Sequence, residues 1–269
     1  MTEQLTLMAV HAHPDDEASS TGGVLAKYAA EGVRTVLVTC TNGELGDSPV
    51  AKPGDDAHDE DEVVEMRLRE LEDSCKILGV SHLEMLGYHD SGMMGWPSNE
   101  AEEAFWSVPV DVAAEPLAEL LLRYRPQVVV TYDDFGFYGH PDHIQAHRIT
   151  IAALDKTGLD AKLYFPTIRR SALAGFAEQM TELGLELPEV DDSRFGSPDE
   201  DIAATIDCRD YAAAKRAALA AHASQQDNMF FLQLPEDFFA EAFGVEEFIK
   251  MRDPTGSPTP ETDLFAGLR

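Results

Sequence analysis

The stretch that decides the fold is residues 5–17, LTLMAVHAHPDDE, in which an apolar run leads directly into two histidines and three acidic residues. A short, continuous apolar run is typical of a strand that is covered on both faces. A helical pattern follows at residues 17–32, and a second apolar strand follows at residues 34–43. This order predicts the start of a βαβ unit, with the charged turn at the end of its first strand.

The same alternation continues along the chain. We predict further strands at residues 82–87, 127–132 and 162–168, and further helices at residues 61–78, 110–124 and 144–156. Strands that alternate with helices at this spacing indicate an α/β fold. The prediction is therefore a Rossmann-like, mostly parallel sheet flanked by helices, with a C-terminal helical extension.

The C-terminal third has a less regular pattern. We predict helices at residues 171–184, 210–225 and 235–251, an acidic loop at residues 188–201, and a proline-rich tail from residue 252 that extends over the surface. Neither a linker nor an internal repeat is visible. We expect one domain over residues 1–269, with a core of about residues 1–170 and a C-terminal lobe and tail of about residues 171–269.

Composition narrows the class of partner. Acidic residues outnumber basic ones 50 to 20, so the formal charge is −30 and the isoelectric point is near 4.4. Such a surface repels phosphate backbones and anionic lipids, so we expect no nucleic-acid or membrane partner. We interpret the acidity as a solvated surface rather than a specific cation-attracting field, because runs of charge are usually solvated.

Cysteine usage and hydropathy predict where the protein is found. The chain has three cysteines, no basic and apolar signal segment, and no apolar run near the ~20 residues that span a bilayer. These features are typical of a reduced, cytoplasmic protein. The sequence leaves the oligomeric state open, with a homo-oligomer among the alternatives.

Two polar motifs follow predicted strands: HAHPDDE follows the first strand, and YGHPDH follows the strand at residues 127–132. In open α/β sheets, ligands bind at the carboxyl ends of the strands. His13 and Asp16 can supply two metal ligands from one turn, and a histidine of HPDH can supply the third. The other histidine of HPDH and one remaining aspartate are then available for general acid and base catalysis. Zinc suits such ligands, as do iron(II) and cobalt(II).

Alternatives exist for each motif. Asp15 or Asp16 can be a plain helix N-cap, and the aspartate of HPDH can cap the next helix. A dinucleotide-binding fold requires a G-x-G-x-x-G turn, whose backbone N–H groups approach a pyrophosphate. The turn after the first strand lacks these glycines, and its acidic residues would repel a phosphate. A serine hydrolase of the α/β type requires a G-x-S-x-G elbow, which Ser91 in HDSGM lacks.

The sequence resembles the LmbE-like, or PIG-L-type, zinc-dependent N-acetylglucosaminyl deacetylases. The resemblance rests on HAHPDDE, TCTNGE, RLRELEDSCKILGV, HDSGM and VVVTYDDFGFYGHPDH, and extends faintly into AALAAHASQ. DSGMMG and YGHPDH are most similar to the actinobacterial branch that works on mycothiol and its precursor. That branch contains a deacetylase and a conjugate amidase. The amidases carry a lysine where this chain has Ser20, which favours the deacetylase.

The resemblance implies a zinc ion bound by His13, Asp16 and His143. It also implies that Asp15 is the general base that takes a proton from water at the metal. His11 and Glu17, in the same motif, are expected to support the site. His222, in AALAAHASQ, is expected to have a structural role.

The same resemblance implies roles around the metal. His140 is the expected electrophilic or general-acid partner, Asp142 is expected to orient and tune that imidazole, and Tyr138 is expected to stabilise the oxyanion. Contacts with the substrate are expected for Arg67, Asp90 and Met93. Two of these have alternatives: Arg67 can be a surface residue that pairs with Glu62 or Glu70, and Met93 can fill a gap in the fold.

The function that follows is a metal-dependent hydrolase that removes the N-acetyl group of an N-acetylglucosamine conjugate by zinc-activated water. The expected partner is therefore a small amino-sugar conjugate. One rival is an amidase that cleaves a larger amide, such as a mycothiol S-conjugate. Another rival is a metal-binding module without catalytic activity.

Overall fold

The computed structural model describes residues 4–173, 175–176, 195–226 and 231–269. A seven-stranded sheet forms its centre. In chain order its strands are β1 (Thr6–His11), β2 (Arg34–Thr41), β3 (His82–Tyr88), β4 (Val128–Val130), β5 (Lys162–Thr167), β6 (Ala204–Asp207) and β7 (Val245–Arg252). Their order across the sheet is β3-β2-β1-β4-β5-β7-β6.

The sheet is mostly parallel, as the sequence predicts. Strands β1 to β5 run parallel to one another, and β7 pairs antiparallel with both β5 and β6. Strand β1 lies between β2 and β4, so that Met8 pairs with Val36 on one side and Val129 on the other. All six residues of β1 are buried, which explains why its sequence is apolar without alternation.

Helices cover both faces of the sheet. The longer helices in the described part of the chain are α1 (Asp16–Ala30), α2 (Glu60–Leu78), α3 (Val110–Tyr124), α4 (Pro141–Thr157), α5 (Ala212–Ala221) and α6 (Glu236–Phe243), and a single turn, Gly136–Gly139, precedes α4. One apolar core lies under α1, α2 and α5, and the other lies under α3 and α4. Leu7 and Ala9 enter the first core, whereas Met8 and Val10 enter the second. Nowhere in the described ranges is a helix both long and apolar enough to cross a bilayer.

The N-terminal predictions are confirmed to within a few residues. Helix α2 begins at Glu60 because the Asp59 side chain accepts the Glu62 N–H at 3.2 Å, and it ends at Gly79, whose φ is 71°. The predicted helix at residues 210–225 is shorter, since α5 ends at Ala221. The predicted helix at residues 171–184 lies largely outside the described residues, and so does the first half of the predicted loop, residues 188–194.

The helix predicted at residues 235–251 is wrong over its second half. Helix α6 ends at Phe243, and strand β7 takes its place from Val245. Two positions of β7, Glu246 and Phe248, are buried, and this alternation is typical of a strand. Strand β6 was not predicted. It pairs with β7 and forms a single bridge with Glu261 of the tail, and its four residues give too little periodicity to identify.

The tail is also not the surface segment that its prolines predict. Leu264 and Phe265 are fully buried and pack into the first core. Glu261, 3 % exposed, accepts hydrogen bonds from Lys162 at 2.9 Å and from Lys250 at 3.0 Å, and also from the hydroxyls of Ser257 and Tyr164. Lys162 is fully buried, so the tail supplies the charge that its ammonium group requires.

Removing that charge should destabilise the fold. Glu261→Gln leaves the buried Lys162 without its carboxylate, and we expect a loss of about 3–5 kcal/mol in the free energy of unfolding, measured in urea. Glu65→Gln is the matched control, because Glu65 pairs with Arg69 at 2.9 Å on the exposed face of α2. The control should lose less than about 1 kcal/mol. Equal losses would contradict the tail's structural role.

The same comparison has a pH dependence with a defined sign. Burial raises the pKa of Glu261, but the hydrogen bonds from Ser257, Tyr164 and the two lysines outweigh it, so the folded pKa lies below the ordinary value of 4.5. A lowered pKa adds stability above pH 4.5, and this stability is lost as the pH falls through the folded pKa. The difference between wild type and Glu261→Gln should therefore shrink as the pH falls below 4.5 and through the folded pKa.

Candidate active site

The polar motifs meet at one edge of the sheet, where the parallel strands end. The HPDD turn joins β1 to α1, the HPDH motif begins α4 after β4, and the HDSGM loop follows β3. Because β1 lies next to β4, the two histidine motifs face each other across neighbouring strands. The expected convergence is therefore present in the structure.

The Asp16 carboxylate lies between two imidazoles. Its Oδ2 is 3.4 Å from Nδ1 of His13, and its Oδ1 is 3.4 Å from Nε2 of His143. Oδ2 also accepts the backbone N–H of His13 at 2.8 Å. Four ligands at 2.0–2.1 Å in a tetrahedron lie about 3.3–3.4 Å apart. Each of the two nitrogen–oxygen distances is therefore of the size found between two ligands of one small metal ion, although the two contacts use different oxygens of the carboxylate.

His143 has the character of a metal ligand. It is 2 % exposed, and neither ring nitrogen has a hydrogen-bond partner among the residues the structure describes. Its ring stacks on Tyr132 with centroids 4.1 Å apart. Burial lowers its pKa to about 4, so the imidazole is neutral at neutral pH. Buried polar atoms normally have partners, and a metal ion can supply the missing one.

Two residues that the sequence did not single out hold His143 in place. Tyr132 provides the stacking surface, and its hydroxyl lies 3.1 Å from Nδ1 of His11, a contact that agrees with the supporting role expected for that histidine. Gly136 has a φ of 68°, and a Cβ there would lie 2.8 Å from Cβ of His143. The glycine turn before HPDH is therefore required for His143 to approach the site.

A third imidazole stands beside the first two. Ligand atoms of His13, His140 and His143 lie within 4.8 Å of one another, so a set of three histidines is a rival to the set with Asp16. Nδ1 of His140 accepts the backbone N–H of Asp142 at 3.2 Å, as the N-cap of α4. Since Nδ1 is an acceptor, Nε2 carries the ring hydrogen. Burial and the neighbouring His13 and His143 lower the pKa of His140 well below its ordinary value.

The Asp142 carboxylate does not pair with His140 as the sequence led us to expect. Its Oδ2 lies 3.2 Å from Nε2 of His13. Ser91 donates to the same carboxylate twice, through its N–H at 2.9 Å and through its hydroxyl. A carboxylate that accepts from Nε2 leaves Nδ1 of His13 free on the side of Asp16. Asp142 therefore orients His13, and Ser91 orients Asp142.

Asp90 also faces His13. Its Oδ1 lies 3.6 Å from Nε2 of His13 and accepts the N–H of Gly92 at 2.8 Å. Burial raises the pKa of Asp90, but His13 outweighs this and holds the pKa far below its ordinary value. The predicted contact of Asp90 with a substrate stays a prediction. Its place beside the candidate metal ligands supports it.

Met93, predicted to contact the substrate, and Tyr138, predicted to stabilise the oxyanion, both have exposed side chains. Met93 is 42 % exposed, so it does not fill a gap in the core. Tyr138 is 41 % exposed, and its ring centroid lies 5.0 Å from that of His143. Both side chains are accessible to a bound molecule, as their predicted roles require.

Asp15 is not a plain N-cap, because its side chain makes no capping hydrogen bond to α1. Burial raises the pKa of Asp15 to about 6, although the nearby guanidinium of Arg67 opposes the shift. Nη2 of Arg67 lies 3.4 Å from Oδ2 of Asp15. A carboxylate with a pKa near neutrality is suited to accept a proton at physiological pH.

Arg67 is not the surface residue of the alternative interpretation. It is 3 % exposed, and it donates to the carbonyl oxygens of Gly43, at 2.9 Å, and of Pro14. These contacts tie the HPDD turn to the loop after β2. The predicted contact with a sugar stays untested, and the observed contacts give Arg67 a part in positioning Asp15.

Comparisons with known proteins show the family to which the chain belongs. The family model described as GlcNAc-PI de-N-acetylase (PIG-L) matches residues 8–154, which include both histidine motifs. A 1D-myo-inositol 2-acetamido-2-deoxy-alpha-D-glucopyranoside deacetylase from Acidothermus cellulolyticus is 45 % identical over 98 % of this chain and 95 % of its own. A relative of the same description from Salinispora arenicola is 43 % identical over 97 % of this chain and 91 % of its own.

Among solved structures, the fold is similar to that of N,N'-diacetylchitobiose deacetylase from Pyrococcus horikoshii. That likeness has a TM-score of 0.60 and 21 % identity, and it covers 97 % of this chain and 89 % of that one. At this identity the likeness bears on the fold alone, and it agrees with the mostly parallel sheet flanked by helices.

The contact between Ser91 and Asp142 leads to a test of metal binding. Ser91→Ala removes a donor to the carboxylate that orients His13, and we expect metal affinity to fall about 10–100-fold, measured by competition with a chelator. Ser98→Ala is the control, because its hydroxyl donates to the carbonyl of Ser91 at 2.7 Å rather than to the carboxylate. Unchanged affinity in Ser91→Ala would contradict the assignment.

Proposed function

Because the chain belongs to the GlcNAc-PI de-N-acetylase (PIG-L) family, we propose that it is a metal-dependent hydrolase that removes the N-acetyl group from an N-acetylglucosamine conjugate. The relatives that match nearly its whole length are named for 1D-myo-inositol 2-acetamido-2-deoxy-alpha-D-glucopyranoside. We infer that this glycoside, or one close to it, is the substrate.

The observation that carries the proposal is the buried His143, whose ring nitrogens make no hydrogen bond within the described residues and whose Nε2 faces Asp16 at 3.4 Å. We propose that these three side chains hold zinc, with iron(II) or cobalt(II) as alternatives that the same ligands suit. When bound, such an ion polarises a carbonyl group and lowers the pKa of a water molecule toward neutrality. Nearby side chains would then transfer protons and stabilise the negative charge that develops on the amide oxygen.

Asp15 is the proposed proton acceptor. Its pKa of about 6 leaves the carboxylate mostly ionised at neutral pH, but close enough to neutrality to hold a proton during turnover. It takes a proton from the attacking water and can deliver the same proton to the departing amine nitrogen. Arg67 holds the carboxylate through Oδ2.

His140 and Tyr138 are the proposed donors to the amide oxygen as negative charge develops on it. The capping bond at Nδ1 leaves the Nε2–H of His140 as a donor, so the imidazole acts as a neutral electrophile rather than as an imidazolium. Tyr138 lies on the accessible side of His143 and offers its hydroxyl. We propose that Asp90 and Met93, which lie on the HDSGM loop after β3, contact the sugar.

A panel of substrates tests the proposal. Zinc-loaded protein should release free amine from the inositol glycoside with a kcat/KM at least about 100-fold above that for a mycothiol S-conjugate. This ratio corresponds to a difference of about 3 kcal/mol in binding of the two transition states. Preference for the S-conjugate would identify the amidase alternative. Release from neither substrate, with metal bound, would support the metal-binding module.

Asp15→Asn separates proton transfer from metal binding. An amide cannot accept the proton, so we expect kcat to fall about 100- to 10,000-fold, while the metal content stays at the wild-type level. Asp134→Asn is the matched control, since Asp134 lies exposed in the loop after β4. Loss of metal from Asp15→Asn, or retained hydrolysis, would contradict the role of Asp15.

A further inference from the structure

The backbone of Asp15 has a conformation that residues other than glycine rarely adopt. Its φ is 111° and its ψ is −27°. Such a conformation is unfavourable unless the surroundings hold it. The carbonyl oxygen of Asp15 accepts the N–H groups of Ala18 and Ser19 at 3.1 and 3.2 Å. The N–H of Asp15 donates to Oε2 of Glu17 at 3.0 Å, and this bond closes the turn.

Glu17 is a fully buried carboxylate with donors from three parts of the chain. Besides the Asp15 N–H, it accepts the hydroxyl of Ser74 in α2 at 2.5 Å and Nε2 of His222 at 2.7 Å, both through Oε1. A carboxylate fixed by three donors cannot rotate away from the Asp15 N–H without breaking the other bonds. Its orientation therefore depends on Ser74 and His222.

His222 is itself held firmly. It follows the last residue of α5 and is 1 % exposed. Two residues further on, Ser224 donates to Glu70 of α2 through its N–H at 2.8 Å and its hydroxyl at 2.7 Å. The next residue, Gln225, exchanges hydrogen bonds with the backbone of Asp47. The AHASQ segment is thus fastened to α2 and to the loop after β2, with His222 directed at Glu17.

We propose that His222 is a positioning residue for Asp15, acting through the Glu17 carboxylate. The inference rests on the proposed function, in which Asp15 accepts the proton. The C-terminal lobe thereby acts on a reaction whose other groups come from the strand-end loops. His222 makes no contact with substrate in this arrangement. Its effect is on the direction of the Asp15 side chain.

A matched pair of substitutions tests this inference. His222→Gln keeps an amide donor at the distance of Nε2, whereas His222→Asn is shorter by one methylene and cannot reach Glu17 from the same backbone. In zinc-loaded protein we expect His222→Asn to lower kcat at least about 10-fold, because small misplacements of a reacting group cost this much or more. KM and metal content should stay within about 2-fold of wild type, and His222→Gln should keep kcat within about 3-fold.

Two further variants separate positioning from general support. Ser74→Ala removes the other side-chain donor to Glu17 and should lower kcat about 3-fold without changing KM. Ser224→Ala removes the hydroxyl bond to Glu70 but keeps the bond from its backbone N–H, so His222 stays directed at Glu17 and kcat should match wild type. Equal losses in Ser224→Ala and His222→Asn would overturn the inference, as would a failure of His222→Gln to restore kcat.

A readout that does not depend on activity distinguishes this inference from the proposed function. The Asp15 amide proton, followed by NMR hydrogen exchange, should exchange at least about 10-fold faster in His222→Asn than in wild type or Ser224→Ala. An unchanged exchange rate would overturn the inference. If wild-type protein releases no amine from the glycoside, the proposed function fails, and the exchange rate still decides whether His222 positions Asp15.

Discussion

The Asp16 carboxylate, 3.4 Å from an imidazole nitrogen on each side, is the contact on which the rest of the site depends. His13 follows β1 and His143 follows β4, so the contact exists only because these strands are parallel neighbours. Every other assignment builds on it. Asp142 sets the free nitrogen of His13 toward Asp16, and Tyr132 sets the plane of His143. The proposed role of Asp15 as proton acceptor rests on its position one residue before Asp16, which places it next to the candidate metal ligands.

The electrostatics of the site require positive charge at its centre. Asp16, Asp90 and Asp142 all approach the His13 ring within 3.6 Å, and each of the three is at most 8 % exposed. Burial lowers the pKa of His13, but Asp90, Asp142 and Asp16 outweigh it, so its pKa lies well above the ordinary value. Buried carboxylates are stable only with paired charge. A divalent ion among these groups would supply that charge, which agrees with the proposed zinc site.

Much of the fold could be predicted because its signals are local and strong. The apolar strands β1, β2 and β4 and the amphipathic helices α2 and α3 have periodicities that a single reading of the chain reveals. The C-terminal part could not be predicted as well. Strand β7 follows a helix with one glycine between them, and its buried Glu246 bonds to Lys215, a partner invisible in the sequence. The tail binds Lys162 through Glu261, which a proline-rich composition conceals.

The candidate site divides in the same way. The convergence of residues in compact motifs, such as His13, Asp16 and His143, could be predicted because both motifs follow strands and the ends of parallel strands meet at one edge of the sheet. Residues that act on those side chains were missed or misplaced. Ser91 and Tyr132 are ordinary residue types, and only the fold brings them to Asp142 and His143. The partner of Asp142 was expected to be its neighbour in sequence, whereas the fold puts a more distant histidine, His13, against it.

The most direct test of the central claim is the anomalous diffraction of zinc-loaded crystals at the zinc absorption edge. The account predicts one strong peak, about 2.0–2.2 Å from a ring nitrogen of His13, a ring nitrogen of His143 and a carboxylate oxygen of Asp16. Asp15 should lie outside that shell, near the open side of the ion. A peak bound by His13, His140 and His143, with Asp16 outside its shell, would contradict the account, as would a peak away from these residues.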